Sequence, residues 1–225
     1  MREVADGIYS IDGLKTGRSY LIDESDGVTL VDTSSPNAAD RILDALATLG
    51  RLPADLRTIV ATHYHDDHTG NVAALVERSG AQLLAHVEDA PYIDGRKPWR
   101  HLDIGPFDVS TPESRHYTLT VDRQVRAGEV LPVAGGLEAL HTPGHTPGSI
   151  SLYSRERGVL FTGDAIGNWF GLQLPMPMPS HDMEEAKRSV HKLAALDYEV
   201  ALPGHGNPVL GRASQKIAHW AKRWL

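Results

Sequence analysis

Short apolar segments, separated by turns that contain Gly and Asp, run through the first 90 residues and predict β-strands. These strands are expected at Val4–Ile11, Ser19–Ile22, Val28–Val31, Thr58–Ala61 and Gln82–Ala85. Two stretches between them carry apolar residues at helical spacing. One helix is predicted from Pro36 to Gly50 with Ser35 as its N-cap, and a second from Thr69 to Arg78.

The second half of the chain shows the same alternation. Strands are predicted at Leu137–Leu140, Ile150–Tyr153, Val159–Phe161 and Val200–Leu202, and helices at Met183–Leu196 and Ala213–Trp224. Between residues 88 and 128 the pattern is weak, because four prolines break it into short pieces: Pro91, Pro98, Pro106 and Pro112. The order of elements predicts a layered α/β architecture, and the length fits a single domain over residues 1–225.

Composition narrows the possible functions. The 225 residues include 29 acidic and 22 basic side chains, a formal net charge of −7, which argues against binding to nucleic acid. No stretch approaches the roughly 18 apolar residues that a membrane helix needs, and the acidic N-terminus lacks the pattern of a signal peptide. We therefore expect a cytoplasmic protein with a small-molecule substrate and no membrane or nucleic-acid partner. Its oligomeric state, including a homo-oligomer, stays open.

The chain contains no cysteine. This excludes disulfides, thiolate metal ligands and a cysteine nucleophile. Any metal site must therefore use imidazole and carboxylate groups, which suit zinc, iron or manganese. The twelve histidines are the first candidates for such ligands.

A dense group of metal-ligand residue types follows the predicted strand Thr58–Ala61. Three histidines and an aspartate fall within six residues: His63, His65, Asp67 and His68. Such a sequence suits neither a helix nor a buried strand, so a loop at the strand end is expected. There, imidazole and carboxylate groups can converge to the roughly 2.0–2.2 Å that a zinc-like ion requires. The alternative interpretation is an exposed polar turn.

Three later segments each place one more ligand-type side chain at the end of a predicted strand. His145 lies between two Pro-Gly turns, Asp164 follows a Thr-Gly pair, and His205 lies between two glycines. Each segment alone is compatible with an ordinary turn. Together with the histidine-rich segment they give seven candidate ligands at strand ends, and this agreement favours a metal site.

The combined pattern is His63-x-His65-x-Asp67-His68, followed by the isolated His145, Asp164 and His205. It resembles the full metal-binding signature of the metallo-β-lactamase superfamily, and the resemblance extends from the first strands to Gly206. It implies an α/β (α+β) fold of four layers, the αβ/βα sandwich, with the metals at one edge. It also implies two divalent metal ions, expected to be zinc, with iron or manganese as alternatives.

The same resemblance implies a role for each ligand. The first ion would be bound by His63, His65 and His145. The second ion would be bound by Asp67, His68 and His205. Asp164 would bind both ions. The hypothesised reaction is hydrolysis, in which a hydroxide bridging the ions attacks an ester, thioester or lactone-type carbonyl. Asp67 and Asp164 are therefore the predicted catalytic residues, and alanine at either position is expected to abolish turnover.

Several branches of the superfamily fit this chain less well. Glyoxalase II is similar around the metals, but an added C-terminal helical domain holds its substrate, and only 19 residues follow Gly206 here. The acyl-homoserine lactonases use a tyrosine after the bridging aspartate, and none lies between Asp164 and His181. Nuclease branches carry a large insertion and basic surfaces. Zinc β-lactamases are exported and typically lack the bridging carboxylate.

Three alternatives stay open nonetheless. In a mononuclear iron dioxygenase acting on glutathione persulfide, His63, His145 and Asp164 would form a site of two histidines and one carboxylate. A zinc β-lactamase is the second alternative. The third is a non-catalytic metal-binding or scaffold protein, and the complete ligand set argues against it.

Several residues outside the signature also carry expectations. The proline-rich apolar segment Ile166–Pro179 either lines a substrate cleft, with Trp169 in contact with substrate, or packs over the helices. His141 is expected to pack within its strand or to support a ligand, and Asp66 to support a ligand or face solvent. The remaining histidines are expected at the surface or in satisfied positions: His86, His101, His116, His181, His191 and His219.

Overall fold

Two β-sheets pack face to face, and helices cover their outer faces. The structure is a computed structural model, and it describes residues 1–97 and 119–224. Buried apolar residues form three clusters. One cluster lies between the sheets, and one lies between each sheet and its helices. This arrangement is the four-layer αβ/βα sandwich, so the predicted fold class is confirmed.

The N-terminal half forms a seven-stranded sheet whose strands follow the chain order. They are β1 (Arg2–Ala5), β2 (Ile8–Ser10), β3 (Tyr20–Glu24), β4 (Gly27–Val31), β5 (Leu56–Ala61), β6 (Gln82–His86) and β7 (Arg123–Val125). The first four strands pair antiparallel, and β4 to β7 pair parallel. The carboxyl ends of β4, β5 and β6 therefore lie at the same edge of the sheet.

The C-terminal half forms a six-stranded sheet and a separate small hairpin. Its strands are β8 (Val130–Leu131), β9 (Leu137–His141), β10 (Ile150–Ser154), β11 (Val159–Gly163), β12 (Gly167–Asn168), β13 (Leu172–Gln173), β14 (Val200–Pro203) and β15 (Val209–Leu210). The sheet order is β15-β14-β11-β10-β9-β8, and β12 forms the hairpin with β13 and a single parallel bridge from Asn168 to Gly206. Because β11 and β14 are parallel neighbours, their carboxyl ends also share an edge.

Six α-helices lie in the described part of the chain. They are α1 (Ala39–Thr48), α2 (Asp66–Thr69), α3 (Val72–Ser79), α4 (Ala90–Ile93), α5 (Met183–Ala194) and α6 (Ala213–Ala221). Helices α1 and α3 bury apolar residues against the first sheet, as Ile42 and Leu75 illustrate. Helices α5 and α6 do the same against the second sheet through residues such as Val190 and Ile217.

Alternating side chains of the parallel strands serve the two faces of the first sheet. Val31 and Val60 face the second sheet and share a cluster with Phe161. Their neighbours Leu30 and Ile59 face the helices. Because both faces are buried, these strands are continuous apolar runs, which is the pattern that located them in the sequence.

Two predicted elements are split in the structure. The segment Val4–Ile11 forms the hairpin β1–β2, because the chain reverses at residues 6 and 7. The helix expected over Thr69–Arg78 is divided between α2 and α3. Asp67 and His68 therefore lie in one short helical turn, and the expectation that they occupy a loop is wrong.

Helix α1 begins at Ala39 rather than at Pro36. The predicted N-cap, Ser35, does not cap it. The backbone N–H of Ala38 donates instead to Oδ1 of Asn71, at 2.8 Å. A side chain from a different element thus satisfies the helix end, which no local pattern in the sequence indicates.

The weakly patterned region contributes α4 and β7, and β7 pairs parallel with β6. The predicted breaks at Pro98, Pro106 and Pro112 lie outside the described residues, as do His101 and His116. Among the helices that the structure describes, each is too short or too polar to cross a membrane.

Candidate metal centre

Strand ends at one edge of both sheets supply the seven predicted ligands. They lie on four segments: His63, His65, Asp67 and His68 after β5, His145 after β9, Asp164 after β11, and His205 after β14. Two hydrogen bonds join the sheets nearby. The Ile150 N–H donates to the Thr62 carbonyl (2.9 Å), and the Tyr20 hydroxyl donates to the Pro203 carbonyl (2.8 Å). The fold thereby brings all seven residues together.

Three histidines form the first group of converging nitrogen atoms. His65 Nδ1 lies 3.1 Å from His63 Nε2 and 2.9 Å from His145 Nε2. Ligand nitrogens at 2.0–2.1 Å from a tetrahedral ion are about 3.3 Å apart. The spacing within this group is therefore close to that of ligands that share one ion.

The second group consists of one carboxylate and two histidines. His205 Nε2 lies 3.1 Å from Asp67 Oδ2 and 3.4 Å from His68 Nε2. His68 Nε2 and Asp67 Oδ1 are 3.9 Å apart. These separations also suit three ligands around a single ion.

Asp164 lies between the two groups. Its Oδ2 is 3.4 Å from His145 Nε2 and 3.2 Å from His205 Nε2. Its Oδ1 is 3.3 Å from His68 Nε2 and is buried without a hydrogen-bond partner among the described residues. A buried carboxylate oxygen in this position is costly unless a cation neutralises it. The side chains present therefore fit two divalent ions that share Asp164.

The carboxylates make this centre attractive to positive charge. Burial alone would lower the pKa of His68, but the neighbouring carboxylates, of which Asp164 is the strongest, hold it well above its usual value. Burial is similarly outweighed at His205, where Asp164 raises the pKa to about 10. Burial would raise the pKa of Asp164, yet His205 and His68 hold it well below its usual range. A centre with this potential stabilises bound cations.

The first group behaves differently. Burial is the main cause that lowers the pKa values of His63, His65 and His145. Repulsion from nearby imidazoles lowers the pKa values of His63 and His65 further. Near neutral pH these three rings are uncharged, so each keeps a nitrogen lone pair for a metal ion.

Asp32 orients two of the predicted ligands, and the sequence interpretation did not identify it. The His68 Nδ1–H donates to Asp32 Oδ2 (2.8 Å), which leaves Nε2 facing the centre. The Thr62 hydroxyl donates to the same oxygen (2.8 Å) and accepts from His63 Nδ1 (3.1 Å). One signal was available: Asp32 directly follows β4, the parallel neighbour of the strand that leads to His63.

Ser180 holds the ring of His145 and was also missed. Its hydroxyl donates to the Met176 carbonyl (2.6 Å), so its oxygen accepts from His145 Nδ1 (3.0 Å). The Nε2 atom of His145 is thereby directed at the first group. Nothing in the local sequence connects this serine with a histidine 35 positions earlier.

His86 and His141 form a stacked pair outside the seven-residue cluster. Their ring centroids are 4.4 Å apart, with 16° between the planes. Glu88 lies close enough to complete a possible metal-binding group. Parallel rings, however, direct their lone pairs side by side and not toward a common point. His141 Nε2 also donates to the Pro147 carbonyl (2.8 Å), so the pair packs, and it supports the loop that carries His145.

The other singled-out residues have varied surroundings. His181 Nε2 lies 3.0 Å from the Tyr64 hydroxyl, His191 on α5 is partly exposed, and His219 on α6 is exposed. Asp66 is buried, which excludes the solvent-facing alternative, and its support of a ligand stays a prediction.

The β12–β13 hairpin places aromatic side chains beside the second group. Trp169 contacts His205 edge-to-face at 5.4 Å between ring centroids and is 48% exposed, while Phe170 is 96% exposed. The Asn168 N–H donates to the His205 carbonyl (2.9 Å), which fixes the hairpin to the ligand loop. Leu174, further along, packs on the core. The segment 166–179 thus packs on the core through Ile166 and Leu174 and presents an apolar rim between them, at Trp169 and Phe170.

Comparison with known proteins identifies the family. Residues 12–205 match the metallo-beta-lactamase superfamily. A probable metallo-hydrolase of Bacillus subtilis (strain 168) is 27% identical over 93% of this chain and 88% of that protein. An N-acyl homoserine lactonase of Bacillus sp is 28% identical over 77% of this chain and 73% of that protein. A subclass B3 metallo-beta-lactamase of Bradyrhizobium japonicum shares 27% identity and a TM-score of 0.73, over 99% of this chain and 89% of that one. The chain therefore belongs to the metallo-beta-lactamase superfamily.

Proposed function

We propose that this protein is a dinuclear metal-dependent hydrolase that cleaves an ester, thioester or lactone-type bond of a small molecule. The ligands of the first ion would be His63, His65 and His145, and those of the second Asp67, His68 and His205. Asp164 would bind both. The observation that carries this proposal is the position of Asp164, whose oxygens lie 3.2–3.4 Å from nitrogens of both groups.

The enzyme class rests on broader support. Family membership and relatives named as metallo-hydrolases and metallo-beta-lactamases make the chain a metal-dependent hydrolase. The bond cleaved, the metal and the number of ions belong to the proposal. The neighbour from Bradyrhizobium japonicum keeps β-lactam hydrolysis among the activities to be tested.

The chemistry follows from the donor set. When bound, two divalent ions would supply hydroxide near neutral pH and would polarise a substrate carbonyl. The chain's own part is to hold the ligand atoms in place before substrate arrives. Asp32 fixes the ring of His68 and, through Thr62, that of His63, while Ser180 fixes His145. A protein nucleophile is not required, in agreement with the absence of cysteine.

The apolar rim favours a substrate with an acyl group. Trp169 lies against His205 and keeps about half of its surface exposed, so an acyl chain placed over the second group would bury it. The lactonase relative acts on an N-acyl compound by its name, and the same class of substrate suits this rim. The tyrosine that such lactonases use after the bridging aspartate is absent, which favours acyl esters and thioesters over homoserine lactones.

The test is a substrate panel on protein loaded with zinc or manganese. Acyl esters, acyl thioesters, lactones and a chromogenic cephalosporin would be compared by kcat/KM. Asp164→Asn and Asp67→Asn are expected to lower hydrolysis at least about 100-fold, because each replaces a charged two-oxygen ligand with a neutral amide. The control Asp40→Asn changes an exposed carboxylate on α1, paired with Arg78, and is expected to leave turnover intact. Full activity of either ligand variant, or oxygen uptake with a persulfide as the sole reaction, would refute the proposal.

A further inference from the structure

We propose that Asp89, which lies outside the metal-binding signature, is a positioning residue that holds together the two loops of the first metal group. This inference rests on the proposed function, since that function assigns His63, His65 and His145 to one ion. Asp89 is fully buried at the end of the segment that links β6 to α4. Its carboxylate joins the two loops that supply these three histidines.

Three hydrogen bonds make this connection. Asp89 Oδ2 accepts from the backbone N–H of Tyr64 (3.1 Å), the residue between His63 and His65. The same oxygen accepts from the hydroxyl of Thr146 (2.7 Å), and Oδ1 accepts from the N–H of Gly148 (2.7 Å). The first donor belongs to the loop after β5, and the other two belong to the loop after β9. One carboxylate therefore sets the distance between loops that come from different sheets.

The carboxylate is directed at these loops and away from its own helix. Asp89 is the residue before α4, where an aspartate ordinarily accepts from the first N–H groups of the helix. Here its side chain makes no such hydrogen bond. Instead the helix adds to the same support, because Tyr92 in α4 stacks on Tyr64 with ring centroids 4.6 Å apart and 20° between the planes.

Close packing leaves the connection little freedom. A Cβ atom on Gly148 would lie 2.4 Å from the Asp89 nitrogen and 2.6 Å from its Oδ1, so glycine is required for this approach. On the metal side, the two loops place His65 Nδ1 2.9 Å from His145 Nε2. Loss of the carboxylate is expected to let this separation vary.

The test measures metal binding in the full chain and does not depend on turnover. Asp89→Ala and Asp89→Asn would be titrated with Co²⁺ against a competing chelator, with the visible spectrum recorded at each step. Asp89→Ala is expected to weaken one of the two Co²⁺ ions about 10- to 100-fold and alter its spectrum, with the other ion unchanged. Asp89→Asn keeps the shape and at least one acceptor, so a smaller loss is expected, about 3- to 10-fold.

The matched control is Asp122→Asn. Asp122 Oδ2 also accepts from a backbone N–H, that of Leu83 (2.8 Å), but at a strand and not at a ligand loop. This variant is expected to keep both Co²⁺ affinities and the spectrum. The proposal would be overturned if Asp89→Asn kept the wild-type Co²⁺ affinities and spectrum. The same result in Asp89→Ala would overturn it, provided that this variant is folded, even at lowered stability. Binding of two ions without any hydrolysis would instead count against the proposed function and leave this inference standing.

Discussion

His68 Nδ1 lies 2.8 Å from Asp32 Oδ2 in the buried floor of the metal centre. Asp32 adopts a left-handed backbone conformation, with φ of +58°, directly after β4. Such a conformation is uncommon for a residue other than glycine and persists only where its surroundings enforce it. The strained turn aims the carboxylate at His68 and at the Thr62 backbone N–H, which donates to Oδ1 at 2.7 Å. Asp32 thereby links the backbone at Thr62, just before the histidine-rich segment, to the predicted ligand His68 within that segment.

Asp32→Asn is expected to weaken binding of the second ion about 10- to 100-fold, because the ring of His68 loses its charged acceptor. A zinc titration against a competing chelator measures this. The control is Asp23→Asn. Asp23 lies on β3, and its carboxylate pairs with Arg51 at 2.8 Å. Unchanged affinity for both ions in Asp32→Asn would show that the hydrogen bond does not support the ligand.

Gly204→Ala is expected to disrupt the centre by direct contact. Its Cβ would lie 2.2 Å from Asp164 Oδ1 and 2.8 Å from His68 Cε1, so the shared carboxylate must move. We expect a loss of at least about 100-fold in metal affinity. Gly167→Ala is the matched control, since its Cβ meets nothing closer than 3.9 Å. Normal metal binding by Gly204→Ala would show that Asp164 can move without cost.

Trp169→Ala tests the apolar rim. For a series of acyl thioesters, KM is expected to rise about 10-fold for long acyl chains, because about 1–1.5 kcal/mol of apolar burial is lost. The acetyl thioester is expected to keep its KM. Phe170→Ala is the comparison, because that ring is almost fully exposed and has less to bury against. Equal KM values for wild type and Trp169→Ala across the series would mean that the segment only packs over the core.

His86 gives a prediction for stability against pH. Burial, with added repulsion from His141 and Arg126, lowers the pKa of His86 to about 4. Between pH 6.5 and pH 4, His86 is therefore protonated in the unfolded chain but stays neutral in the folded chain. The stability that neutral His86 contributes is present above pH 6.5 and is lost as pH falls toward 4.

Urea denaturation of wild type and His86→Gln over this pH range measures the effect. Wild type is expected to lose on the order of 1–2 kcal/mol more than His86→Gln between pH 6.5 and pH 4. Contributions from titrating groups that do not interact with His86 cancel in the difference between the two proteins. Parallel stability curves would show that His86 takes up its proton equally well in the folded state.

The sequence was sufficient to single out the seven residues that the structure brings together, because each follows a buried strand whose apolar run is easily read. His145, Asp164 and His205 needed only a strand end and a glycine-rich turn beside them. The supporting residues are different. Asp89 accepts hydrogen bonds from residues 25 to 59 positions away in the sequence. Ser180 accepts one from a histidine 35 positions away. Such contacts depend on how two sheets meet, and no local spacing encodes that. The start of α1 was misplaced for the same reason, since Asn71 caps it from a distance.

Metal content per chain, measured by mass spectrometry on protein purified without chelator, distinguishes a dinuclear hydrolase from a mononuclear iron enzyme. Two divalent ions per chain, zinc or manganese, are expected for wild type. Asp164→Asn is expected to hold fewer, because it alters the one carboxylate shared by both groups. A single iron per chain, retained in catalytically competent protein that consumes oxygen with a persulfide, would contradict the account and identify the site of two histidines and one carboxylate instead.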